Sequence, residues 1–205
     1  MLMSDSKIEH GENLSDVQLL SAVVLGDIGA FEKIVNRYKG RLYNFVFRFV
    51  GDQETAEDIV QETFLRAYRR RREYRAIANF STWLFTIAGN LAKSELRRRK
   101  RWRLLSLDWD DDAGNGMEIA DESLRPDTMA ESSMTDMRIQ EAIDSLPSNY
   151  KQVVILRDIE GLSYQEIAEI VGCPVGTVKS RVNRGRLRLQ QKLKIDGKDV
   201  GLEVK

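Results

Sequence analysis

Phe31, Ile34, Val35, Tyr38, Leu42, Phe45, Val46 and Phe49 recur every three or four positions. That spacing is the stripe of an amphipathic helix with one buried face. A shorter helix is predicted before it, from about Ser15 to Leu25. Gly51-Asp52 breaks the long helix, and Asp52 suits the cap of a third, running to about Arg72, in which Ile59, Val60, Thr63, Phe64 and Ala67 face one way. After a turn from Tyr74 to Phe80, a fourth helix buries Trp83, Leu84, Ile87, Ala88 and Leu91 and runs into "RRRKRWR". From Ser106 to Thr135, through "DWDDDAGNG", the period is lost and the chain reads as a linker. Periodicity returns from about Met137 to Lys194. The pattern predicts an all-α protein of two small helical domains, 14–105 and 136–195, joined by a linker over 106–135 and flanked by tails 1–13 and 196–205.

The second domain ends in "YQEIAEIVGCPVGTVKSRVNRGRLRL". Ser163 followed by Glu166 is a capping box, and Ile167, Ala168, Ile170 and Val171 form the buried stripe of a short helix. Gly172 is placed to end it in a left-handed cap, and Pro174 suits the first turn of the next helix. There Val175, Val178, Val182, Leu189 and Leu193 share one face, with Thr177, Ser180, Arg181, Arg184 and Arg188 opposite. No acidic residue occurs from 171 to 195, while seven basic ones do. Two short helices joined by a glycine-containing turn make a helix-turn-helix, whose second helix enters the major groove of duplex DNA.

Charge sharpens the picture. The formal net charge is zero, yet residues 66–103 hold 13 Lys/Arg against Glu73 and Glu95. Residues 104–136 hold 10 Asp/Glu against Arg125 alone. Such blocks imply a polyanion partner at two places, with an acidic tether between them. No apolar run is long enough to span a bilayer, and no signal-peptide pattern opens the chain. The single Cys173 excludes an internal disulfide framework and fits a reducing cytoplasm; it reads as a helix-cap residue rather than a metal ligand. The acidic run is a poor calcium loop: counted from Asp108, it puts Ala113 where glycine belongs and Ile119 where the bidentate glutamate belongs. With His10 the only histidine and no paired nucleophile and base, no catalytic residue, metal site or cofactor is expected.

"GDQETAEDIVQETFLRAYRR", "NFSTWLFTIAGNLAKSELRRRKR" and "LPSNYKQVVILRDIEGLSYQEIAEIVGCPVGTVKSRVNRGRLRL" resemble, in order and spacing, the hallmarks of the bacterial extracytoplasmic-function (ECF) sigma factors, over nearly all of residues 15–193. The resemblance implies a region 2 domain and a region 4 domain in a cytoplasmic initiation factor. Its partners would be core RNA polymerase, through the clamp of the largest subunit and the flap of the second largest, promoter DNA, and an anti-sigma factor that could hold it at the membrane. It implies core binding through Asp58, Gln61, Glu62 and Leu65, an acidic helix face with an exposed leucine. It implies −10 recognition and melting through Arg70, Tyr74, Arg75, Asn79 and Asn90, with phosphate contacts from Arg97, Arg98, Arg99, Lys100 and Arg101. The −10 specificity loop would be 75–80, and its Ala76-Ile77-Ala78 departs from the family's usual loop. Trp83, spaced with Phe80 and Ile87, belongs to the core rather than to a stacking platform. The −35 element would be read by Thr177, Lys179, Ser180, Arg181, Asn183 and Arg184, with Arg186 and Arg188 on phosphate or in solvent. The alternative is a helix-turn-helix activator or repressor that binds an operator without polymerase, which leaves Phe31–Arg103 without a task.

Overall fold

A computed structural model of the chain describes residues 14–74, 79–107 and 130–195. Among these residues there is no strand, and eight α-helices follow one another: α1 (Asp16–Val24), α2 (Ile28–Val50), α3 (Gln53–Arg69), α4 (Phe80–Leu107), α5 (Ala130–Asp144), α6 (Ser148–Val154), α7 (Tyr164–Val171) and α8 (Val175–Ile195). A π-helical turn, Ile155–Ile159, continues α6.

Local chemistry sets most boundaries. Ser15 and Gln18 form a capping box at the start of α1. Asp27 accepts the Ala30 backbone N–H at 3.0 Å to open α2, and Gly51, at φ 75°, ends it in a left-handed cap. Asp52 then accepts the Thr55 N–H at 2.8 Å to open α3. These caps satisfy backbone donors and acceptors that a helix end otherwise leaves unmet.

The core is built on α2. Ile34, Leu42, Phe45, Val46 and Phe49 are fully buried, covered by Leu19 and Val23 of α1, Ala56 and Phe64 of α3, and Leu84, Phe85 and Ala88 of α4. Phe45 meets Phe85 edge-on at 5.4 Å between ring centroids. In the second unit, Val153, Leu156, Ile167, Val178 and Val182 bring α6, α7 and α8 together. Gly185 lets α8 approach α6 closely: a Cβ there would lie 2.5 Å from Val154 Cγ2.

Three boundaries differ from the sequence expectation. α3 stops at Arg69, and 70–73 form a turn closed by the Arg71 N–H on the Tyr68 carbonyl and the Glu73 N–H on the Arg70 carbonyl. Tyr68 is the last side chain of α3 packed on α2, against Phe31 at 4.9 Å, and the arginines from Arg69 to Arg72 that follow offer no apolar residue to hold a further turn. The linker read over 106–135 is entered by helix at both ends, since α4 runs to Leu107 and α5 starts at Ala130; the Ala, Glu and Met in that approach favour helix without any apolar stripe. The π turn was not expected. It carries the Glu160 N–H to the Ile155 carbonyl at 3.0 Å, and Arg157 fixes the bend that follows by donating to the Leu162 carbonyl at 2.7 Å.

The two units are packed together. α7 lies on α4, while α5, α6 and the π turn lie on α2, so one hydrophobic core runs across both.

Candidate polymerase and DNA interfaces

The apolar stripe of α3 (Ile59, Val60, Thr63, Phe64, Ala67) is buried, which turns Asp58, Gln61 and Leu65 outward. Leu65 is 50% exposed among polar neighbours. Glu62 accepts from Arg66 Nε at 2.7 Å, and that bond holds its carboxyl below the ordinary range. Beside this face, Lys39, Gly40, Tyr43 and Asn44 of α2 and Glu57, Val60 and Gln61 of α3 line an open groove of about 470 Å³. The α2 residues of the groove were not anticipated. Their signal was the polar positions that alternate with the α2 stripe, unreadable until α3 was known to lie alongside.

Around the α3–α4 turn, Tyr74 lies 5.5 Å from Phe80 and 5.4 Å from Trp83, and Phe80 meets Tyr38 at 5.7 Å. Burial pushes the Tyr74 hydroxyl pKa up. Trp83 is partly covered within this aromatic cluster, as its spacing predicted. Arg70 is exposed, near Glu73 at 4.0 Å. Arg75 and the loop residues Ala76-Ile77-Ala78 lie outside the described residues. Asn79 is exposed and donates its side-chain amide to Glu166 at 3.2 Å.

Along α4, Asn90, Ser94, Arg97 and Arg101 are exposed at helical spacing, a stripe that ends beside Trp102. From Asn90 to Trp102 the helix rises about 18 Å. The basic run is not uniform. Arg97, Lys100 and Arg101 have no carboxylate partner among the described residues. Arg98 donates to Glu95 at 2.8 and 2.9 Å. Arg99 reaches Glu95 at 3.1 Å, Asp52 at 3.3 Å and the Thr55 hydroxyl, tying α4 to the start of α3. Arg99 is therefore a structural strut, and Arg98 is a partly neutralised one. Trp102, 68% exposed within the arginines, was missed; the aromatic interrupting "RRRKRWR" was its signal.

In the second unit Ser163 and Glu166 form the expected capping box, and Gly172 takes the left-handed conformation, φ 65°. On α8, Val178 and Val182 are buried, and Lys179, Ser180, Asn183 and Arg184 are exposed together on the opposite side. Thr177 is partly covered. Arg181 departs from the expectation: it is partly buried and donates to Cys173 Sγ at 3.6 Å, so it props the turn. Lys179 sits over the Tyr164 ring at 5.8 Å. Arg186 pairs with Asp158 at 2.5 Å and Arg188 lies over Tyr150 at 5.2 Å, so both are engaged within the domain rather than held free for phosphate. Among the described residues no group of His, Cys, Asp or Glu is placed to hold a metal, and no helix is long and apolar enough to cross a membrane.

Two family models match the chain, Sigma-70 region 2 over residues 34–102 and Sigma-70, region 4 over residues 136–189. The ECF RNA polymerase sigma-E factor of Haemophilus influenzae is 37% identical over 187 residues, covering 89% of this chain and 97% of that protein. The ECF RNA polymerase sigma factor SigW of Bacillus subtilis is 37% identical over 177 residues, covering 85% and 95%. Among solved structures, the sigma factor RpoE of Bartonella quintana, determined with the anti-sigma factor NepR, is 28% identical, with a TM-score of 0.63 over 82% of this chain and 99% of that one. α2 to α4 thus coincide with sigma region 2 and α5 to α8 with region 4, and the chain belongs to the extracytoplasmic-function family of RNA polymerase sigma factors.

Proposed function

We propose that this chain brings core RNA polymerase to a subset of promoters, reads their −35 and −10 elements with its two units, and helps to open the DNA. The α8 face of Lys179, Ser180, Asn183 and Arg184 would read −35 base edges in the major groove. Arg70, Tyr74, Asn79 and Asn90 would hold unstacked −10 bases, while Arg97, Lys100 and Arg101 follow phosphates. Asp58, Gln61, Glu62 and Leu65, with the adjoining groove, would dock on the polymerase clamp. An anti-sigma factor is a further partner, by analogy with the Bartonella protein.

The observation that carries the reading is the separation of exposed groups by kind. An acidic face with a protruding leucine lies on α3, and an acid-free basic face lies on each of α4 and α8. A repressor needs one DNA-reading face; two basic faces and a third of opposite sign support a sigma factor instead.

The test is transcription in vitro with purified core polymerase and a library of genomic promoter fragments. Open complexes that form only when the protein is added are expected, and the recovered sites give its motif. Tight, sequence-specific footprinting by the free protein at physiological salt, with no effect on polymerase, would replace this reading by that of a conventional operator-binding regulator.

A further inference from the structure

Polar contacts cross the boundary between the two units beside the shared apolar core. Arg41 of α2 donates Nε to the Glu160 carboxylate at 3.1 Å and Nη2 to the Glu160 carbonyl at 3.2 Å. Lys151 of α6 is buried, with Nζ donating to Asp144 at 2.6 Å and to the Phe49 carbonyl of α2 at 3.2 Å. Asn79 donates to Glu166, across from one unit to the other.

At its centre Gln152 of α6 is 2% exposed and faces α4 at Gly89. A Cβ on Gly89 would stand 2.6 Å from Gln152 Nε2 and 3.7 Å from Phe45 Cζ. Glycine inside a helix is unfavourable, so here it serves close approach. Gln152 Nε2 has no hydrogen-bond partner among the described residues. A buried donor left unmet disfavours the state that buries it, and the donor regains water when the units separate. Close backbone approach draws this boundary shut, and one unmet donor loosens it.

The dimensions say what closure does. Positions −35 and −10 of a promoter lie roughly 85 Å apart along B-form DNA at 3.4 Å per base pair. A compact chain of this length is only about 45 Å across. In the packed arrangement the two reading units touch, Asn79 is held by Glu166, and α7 covers part of α4. The chain cannot read both elements without coming apart.

We propose that Gln152 against Gly89 sets how readily this packed arrangement of the two units opens. The consequence for promoters rests on the function proposed above; the closure does not. Gln152→Leu removes the unmet donor at similar size and deepens closure. Gly89→Ala drives a methyl group into Gln152 and favours the open state, while raising the helix propensity of α4.

Small-angle scattering of the free protein and titration of core polymerase test this together. The wild-type chain is expected to scatter as a compact particle. Gly89→Ala should have a larger radius of gyration at unchanged helical circular dichroism, which separates opening from unfolding. Gln152→Leu should stay compact and bind core polymerase roughly tenfold more weakly, because less of it is in the binding-competent state. A wild-type chain that scatters as two separated units would overturn the inference. So would two variants that match the wild type in both size and core affinity. Failure of the wild type to support transcription would count against the function alone, since scattering reads closure without polymerase.

Discussion

Arg181 and Arg184 stand three positions apart on α8 and do different work. Arg184 is exposed beside Ser180 and Asn183, while Arg181 turns back to Cys173. Arg184→Ala is expected to lower discrimination between matched and mismatched −35 sites by roughly 1–3 kcal/mol, as loss of a bidentate base contact does. Arg181→Ala should lower the melting temperature and leave that discrimination intact. Competition binding by the holoenzyme on paired promoter fragments, with thermal denaturation, measures both; equal weakening on every sequence would make Arg184 a phosphate contact. Periodicity alone put both arginines on one face, because a residue count gives the direction of Cβ and not the path of a long side chain. The same limit hid the difference between Arg97 and Arg99. Arg99 is committed to Glu95 and Asp52, and nothing in a run of five basic residues marks which of them meets a carboxylate 47 positions away.

At the level of elements, short-range chemistry was legible and tertiary support was not. The Ser163–Glu166 box, the Gly172 cap and the buried stripe of α3 were all readable, since each is settled within about four residues. Ser163→Ala should therefore cost about 1 kcal/mol of stability, the usual loss for an N-cap. It should also raise the Glu166 pKa only part of the way, since the backbone N–H of residue 163, the largest cause of its depression, still donates to the carboxylate and only the hydroxyl bond is lost. Chemical denaturation, with carbon-13 NMR titration of the carboxyl, checks this, and a Glu166 carboxyl that does not move would assign its depression to the retained backbone N–H of residue 163 and to Asn79. Asp58 has no fold role of this kind. Exposed on α3, it is expected to tolerate Asp58→Arg with the melting temperature unchanged and core affinity reduced. Equal core affinity would remove α3 from the polymerase interface. The π turn and the early stop of α3 escaped sequence reading for one reason. The π turn depends on what α2 and α8 offer as neighbours and the stop of α3 on where its packing against α2 ends, and neither leaves a period in the chain.

Across the whole molecule, composition foretold two basic units and not that they pack together. Besides the shared apolar core, the contacts between them come from single residues such as Arg41, Gly89, Lys151 and Gln152, which form no pattern and would each read as surface or as a helix flaw. Two carboxylates at this boundary respond oppositely to pH. The Glu166 pKa is lowered by its bonds from Ser163, so its contribution is present above the ordinary glutamate value, about 4.3, and is lost as pH falls through the lowered one. Glu160, its side chain only 4% exposed, has its pKa raised by burial, against the opposing pull of Arg41, the charged group that faces it. Its contribution is fully present below the ordinary value and is lost as pH rises through the raised one. Ionised Glu160 therefore works against the packed state at neutral pH, and Arg41 only partly offsets the loss of water. Glu160→Gln, which keeps the shape and removes the charge, is expected to raise the melting temperature at pH 7. The difference from wild type should shrink as pH falls toward the ordinary glutamate value, where the native side chain is itself neutral. Calorimetric melts of both proteins over that range decide it. A Glu160→Gln protein that melts lower at pH 7 and converges with wild type in acid would mean that the Arg41 ion pair outweighs the burial of Glu160.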